Sequence, residues 1–125
     1  MTIKRGEPPL AADEVTTLRT FLNYYRDTIR IKVGGLSQEQ LAVALPPSTM
    51  TLGGLVKHLA VVEDSWFGEV FLGGELSEPW ASVDWEADRD WEWHSAAQDS
   101  PEQLLALFDA AVSQAEPALC RVRYT

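Results

Sequence analysis

A chain of 125 residues, 46 % hydrophobic and 23 % charged, has the size and composition of one globular domain, 1–125, which excludes collagen-like, low-complexity and wholly disordered chains. A lone cysteine, Cys120, excludes a disulfide scaffold and makes the cytoplasm the simplest compartment. Ten Lys and Arg against 19 Asp and Glu give a net charge of −9, so no nucleic acid and no membrane is expected as a partner.

Residues 1–12 have no apolar signal region and read as an extended arm held by Pro8 and Pro9. Val15, Leu18, Leu22, Tyr25 and Ile29 then recur at steps of three and four, which predicts an amphipathic helix over 13–33. Gly34 and Gly35 supply its C-cap. Ser37 and Gln40 form a capping box for a short helix over 38–44, closed by Pro46 and Pro47. Thr51 is a candidate N-cap, and Leu52, Leu55, Leu59, Val62, Trp66 and Val70 form a second stripe ending at Gly73 and Gly74. Gly53 and Gly54 in its first turn point either to close packing or to fraying.

Residues 75–99 carry eight acidic residues against one basic residue, Arg89, and four of the five tryptophans, Trp80, Trp85, Trp91 and Trp93. No clear period runs through them. So much indole area argues for an ordered loop packed on the helices, with its acidic residues solvated above buried rings. Ser100-Pro101-Glu102-Gln103 is a strong helix start. Leu104, Phe108, Ala111 and Ala115 follow at helical spacing, and Pro117 is expected to stop or kink the helix near Ala115. The pattern throughout is all-α, a helical bundle.

Motifs for phosphate, dinucleotide, paired-cysteine zinc and nucleophile-elbow chemistry are absent, and nothing orients Cys120 for catalysis. His58 lies mid-helix at the edge of the apolar arc. It is either a half-buried histidine with one hydrogen bond or a metal ligand inside a bundle. Glu63 falls within the apolar face and needs a partner, which is either an arginine of the first helix or a ligand that it orients. His94 is either a metal donor from the loop or a solvent-facing side chain.

The run Gly53-Gly54-Leu55-Val56-Lys57-His58-Leu59-Ala60 with Trp66-Phe67 downstream, the Lys32-Val33-Gly34-Gly35-Leu36-Ser37 corner and the Pro46-Pro47-Ser48 step resemble the DinB-like superfamily, in its branch related to mini-circle protein. The resemblance implies an up-down four-helix bundle and a divalent metal held by one histidine of the second helix and two ligands of the last helix. It also implies, for some relatives, transferase chemistry on a low-molecular-weight thiol. His58 matches the first metal ligand. The other two have no counterpart in this sequence, so the resemblance leaves the last helix missing and zinc or nickel binding weak or absent. Two functions follow as expectations: a metal-dependent thiol transferase or hydrolase-like enzyme with an incomplete site, or a non-catalytic interaction module that keeps the fold. Three apolar stripes without a fourth helix would leave a groove, and a homodimer is expected to cover it.

Overall fold

The computed structural model describes residues 14–44, 46–71 and 73–120, apart from the side chains of residues 14, 15, 71 and 118–120. The predicted arm at 1–12 and the thiol of Cys120 lie outside the described residues. Among the described residues there are five α-helices and no strand: α1 (Glu14–Val33), α2 (Gln38–Leu41), α3 (Leu52–Glu63), α4 (Trp91–Ser95) and α5 (Pro101–Cys120). None of them is long and apolar enough to cross a membrane.

The helix starts follow the capping residues. Ser37 Oγ accepts from Gln40 N at 3.1 Å while Gln40 Oε1 accepts from Ser37 N at 2.9 Å. The same reciprocal pair forms between Ser100 and Gln103, at 2.8 and 3.1 Å, and Thr51 Oγ1 accepts from Gly54 N at 2.9 Å. Each satisfies donors that the first helical turn leaves without partners. Gly35, at φ 80°, takes the left-handed turn after α1.

Two boundaries differ from expectation. The second long helix changes pitch at Asp64 and runs on to Phe71 as a π-helix, a wider winding that tends to occur where function or packing demands it. Pro117 does not stop α5, which continues to Cys120. Proline so near a helix end forgoes a single backbone hydrogen bond, and the last turn has few bonds to lose.

α1 runs antiparallel to α5, with Arg30 meeting Asp109 and Arg19 meeting Glu116. α3 and α5 run parallel. Gly53 lies against Leu104 at their beginnings, and further along Ser77 links Asp64 to Gln114. Parallel neighbours need a long crossover. The segment 73–100 is that crossover, and it must return over the roughly 30 Å that twenty helical residues span.

The core is narrow. Leu104, Phe108, Ala111 and Ala115 are buried on α5 in the predicted register, the first three in one cluster with Val56, Ala60 and Val61 of α3. On α3 the buried face is not the predicted stripe. It consists of Gly53, Gly54, Val56, Lys57, Ala60, Val61 and Glu63, while Trp66 is 62 % exposed and Val70 is exposed beside it. Small residues let the neighbouring backbones approach, so that face packs most closely, while the predicted stripe is half-buried at Leu52 and Leu59, which pack against the core, and exposed only towards its end.

Close packing, not fraying, explains the glycine pair. A Cβ on Gly54 would lie 2.6 Å from Trp93 Cε3 and 2.9 Å from Thr51 Oγ1. Gly54→Ala should therefore destabilise the protein by about 1–2 kcal/mol, overpacking outweighing the better helix propensity of alanine. Urea denaturation measures it, and an unchanged or raised midpoint would show that Trp93 moves aside freely.

Candidate functional site

Two concave surfaces meet along one side of α3. The first is a cleft of about 350 Å³ whose lining includes His58, Ser65, Trp66, Trp85, Arg89 and Glu92. His58 is turned to the crossover, not into the α3–α5 seam, and its side chain is 38 % exposed. Its Nδ1 lies 3.1 Å from Glu92 Oε2. Its ring stacks on Trp93 with centroids 5.1 Å apart and planes at 27°. A hydrogen bond to an ionised carboxylate needs its proton on Nδ1, since a carboxylate only accepts; Nε2 is the other ring nitrogen.

The crossover is pinned to make this contact. Lys57, buried one residue before His58, donates from Nζ to Asp99 Oδ2 at 2.6 Å and to Ser95 Oγ at 2.8 Å, with the ammonium 4.3 Å from the centre of the Trp91 ring. Trp80 and Trp85 both meet Trp91 edge to face, at 6.1 and 6.2 Å. Trp85 Nε1 also donates to the Trp80 carbonyl at 3.2 Å. Trp80 is fully buried and the other three indoles of the segment are half-buried. Predicted as an ordered loop, the segment is ordered through its tryptophans and partly helical at α4.

The second surface is an apolar groove of about 440 Å³ between α1 and α3. Leu22, Tyr25 and Ile29 form one wall, Leu59, Val62 and Trp66 the other, with Phe108 also lining it. Val62 and Trp66 belong to both surfaces, so cleft and groove abut. Arg26 and Glu63 also line the groove. Their bidentate pair, Nε to Oε1 at 2.7 Å and Nη2 to Oε2 at 2.6 Å, is buried. Of the two partners foreseen for Glu63, the arginine of the first helix is the one present.

His94 does not line the cleft. It is solvent-exposed on α4, where its Nδ1 lies 2.8 Å from Asp88 Oδ2. That hydrogen bond raises the His94 pKa above its ordinary value and lowers that of Asp88. Solvent screens such an exposed pair, which contributes little to stability.

A family model described as mycothiol-S-transferase matches residues 17–123. The chain belongs to the mycothiol-S-transferase family. The family is part of the DinB-like superfamily, is of thiol-transferase type, and its members are metal-associated. No curated protein and no solved structure matches the chain.

Family membership makes the fit to a metal a question for these side chains. His58 offers one nitrogen, whereas a catalytic zinc site takes about three protein ligands. Among the described residues no group of three His, Cys, Asp or Glu side chains is placed to hold a metal ion. The described residues do not by themselves fit that group.

One residue of the cleft escaped the sequence reading. The acidic residues of 84–92 were expected to be solvated, yet Glu92 is buried. No local signal marked it, because Glu92 is engaged by His58, 34 positions away in sequence.

Proposed function

We propose that the chain acts as a thiol-transferase-type domain of the DinB-like superfamily, in its mini-circle-related branch, with the His58 cleft as its site. The observation that carries this reading is the convergence of His58 and Glu92 on one tryptophan-walled cleft in a chain of that family. A cleft of about 350 Å³ suits a small molecule, and a low-molecular-weight thiol is the co-substrate class that the family name supports. His58 is the metal ligand this chain offers, to zinc or nickel, in a site that stays incomplete without donors from elsewhere. The residues of the cleft bind and orient: the tryptophans exclude water and His58 presents Nε2.

Calorimetric titration of the tag-free chain with zinc and with nickel tests the assignment. Weak binding is expected, and His58→Ala should abolish it. Stoichiometric metal surviving dialysis against a mild chelator would overturn the incomplete site, and binding indifferent to His58→Ala would overturn the ligand.

The partner in this reading is a second copy of the chain. The groove between α1 and α3 has the form that a fourth helix fills in a four-helix bundle. Tyr25 on one wall and Trp66 on the other are exposed, as are Leu18 and Phe21 further back along α1, so a two-fold pairing sets one apolar wall into the other groove. The acidic excess opposes it little, being concentrated in 75–99. Sedimentation velocity over a wide concentration range should find a dimer, weakened at least about 30-fold by Trp66→Glu if that indole anchors the interface. A monomer throughout would rule the pairing out.

A further inference from the structure

The His58–Glu92 contact contains an imbalance that stability alone does not account for. The Glu92 side chain is 8 % exposed. Its Oε2 is engaged by His58 at 3.1 Å, but its Oε1 is enclosed and has no hydrogen-bond partner among the described residues. A buried carboxylate oxygen without a donor carries its desolvation penalty uncompensated. Lys57, a buried cation of the same region, is committed to Asp99 and Ser95. Among the described residues, His58 is thus the hydrogen-bond partner of the buried Glu92 side chain. Folded proteins keep such local violations chiefly where a site needs them.

The ring of His58 is restrained twice. Glu92 holds its Nδ1 edge, and Trp93 covers one face at 27° between planes. Trp93 can sit there only because Gly54 has no Cβ. An edge contact and a face contact together leave the imidazole little freedom to rotate or flip.

We infer that Glu92 is a positioning residue: it holds His58 as the Nδ1–H tautomer, so that unprotonated Nε2 is the atom presented to whatever enters the cleft. The inference rests on reading that cleft as the site, but it concerns the tautomer and not the bound species. A carboxylate behind an imidazole fixes the ring and raises its basicity as a donor. Glu92 would then act through His58 without touching the ligand.

Two-bond proton–nitrogen NMR on the metal-free, uniformly ¹⁵N-labelled full chain reads the tautomer directly, at a pH where the ring is neutral. The His94→Gln background leaves one imidazole to assign. A single Nδ1–H form is expected in this background. Glu92→Gln should give a mixture, because an amide can accept from Nδ1–H or donate to bare Nδ1. The Tm of Glu92→Gln and of Glu92→Leu should equal or exceed that of the parent, since both remove an uncompensated buried charge. An Nε2–H form in the parent overturns the inference, and that measurement needs no variant to fold. An unchanged tautomer in Glu92→Gln also overturns it, as does a lowered Tm in both variants, which would make Glu92 a structural residue. Failure of metal binding with the tautomer intact would count against the proposed function and leave this inference standing.

Discussion

Glu63→Ala should destabilise the protein by about 3–5 kcal/mol, a large share of the total for a domain of this size. The substitution removes the two carboxylate oxygens that accept from a guanidinium whose side chain is 2 % exposed. Arg26 keeps Asn23 Oδ1 at 3.0 Å and a distant Glu116 at 3.9 Å, too little to balance a cation held away from water. Arg26→Ala should cost a similar amount by leaving the Glu63 carboxylate uncompensated. Replacing both, with Arg26→Met and Glu63→Leu, should recover most of the loss, because a buried pair gains from mutual attraction about what it loses in desolvation. Urea denaturation of the three variants measures the two losses and the recovery. Additive single losses in the double variant would show that the two charges are not coupled.

Lys57→Ala should cost about 2–4 kcal/mol and act locally on the crossover. It removes an ion pair, a hydrogen bond to Ser95 and a cation resting on the Trp91 ring, contacts that together fasten α4 to α3. Asp99, at 22 % exposed, can recover part of its solvation, which keeps the loss below that of the Arg26 pair. Amide exchange should quicken across 91–99 while the middle of α5 stays protected by the packing of Leu104, Phe108 and Ala111 with Val56 and Ala60. Tryptophan emission should move to the red as the indoles of the crossover gain water. Unchanged exchange across 91–99 would mean that the tryptophan cluster holds the segment unaided.

How much of this was legible beforehand depended on the range of the interaction. Caps at Ser37, Thr51 and Ser100 were readable because a cap is a contact between residues two or three apart in sequence. The buried face of α5 was readable because Leu104, Phe108, Ala111 and Ala115 recur at steps of three and four. The stripe of α3 was read correctly as a set of residues sharing a face, yet it borders the core and does not form its centre: Leu52 and Leu59 are half-buried against the core, and Trp66 and Val70 are exposed. Periodicity reports which side chains point together, and says nothing of which neighbour arrives. Leu59, Val62 and Trp66 accordingly line a groove, while Val56 and Ala60 form the core.

The candidate site divides in the same way. His58 was identifiable from its position and from the run of residues around it. Glu92 and Trp93 were not, because their meeting with His58 spans 34 and 35 positions and depends on a crossover without periodicity. The sequence by itself determined the all-α class, the helix starts, the face of α5 and the need of Glu63 for a cation, since these follow from local geometry and from the desolvation of one charge. Only the tertiary structure decided which face of α3 is buried, that α5 runs parallel to α3, and that a carboxylate stands behind His58. Each of these is a choice among long-range pairings that the loop 73–100 closes, and nearest-neighbour chemistry leaves that choice open.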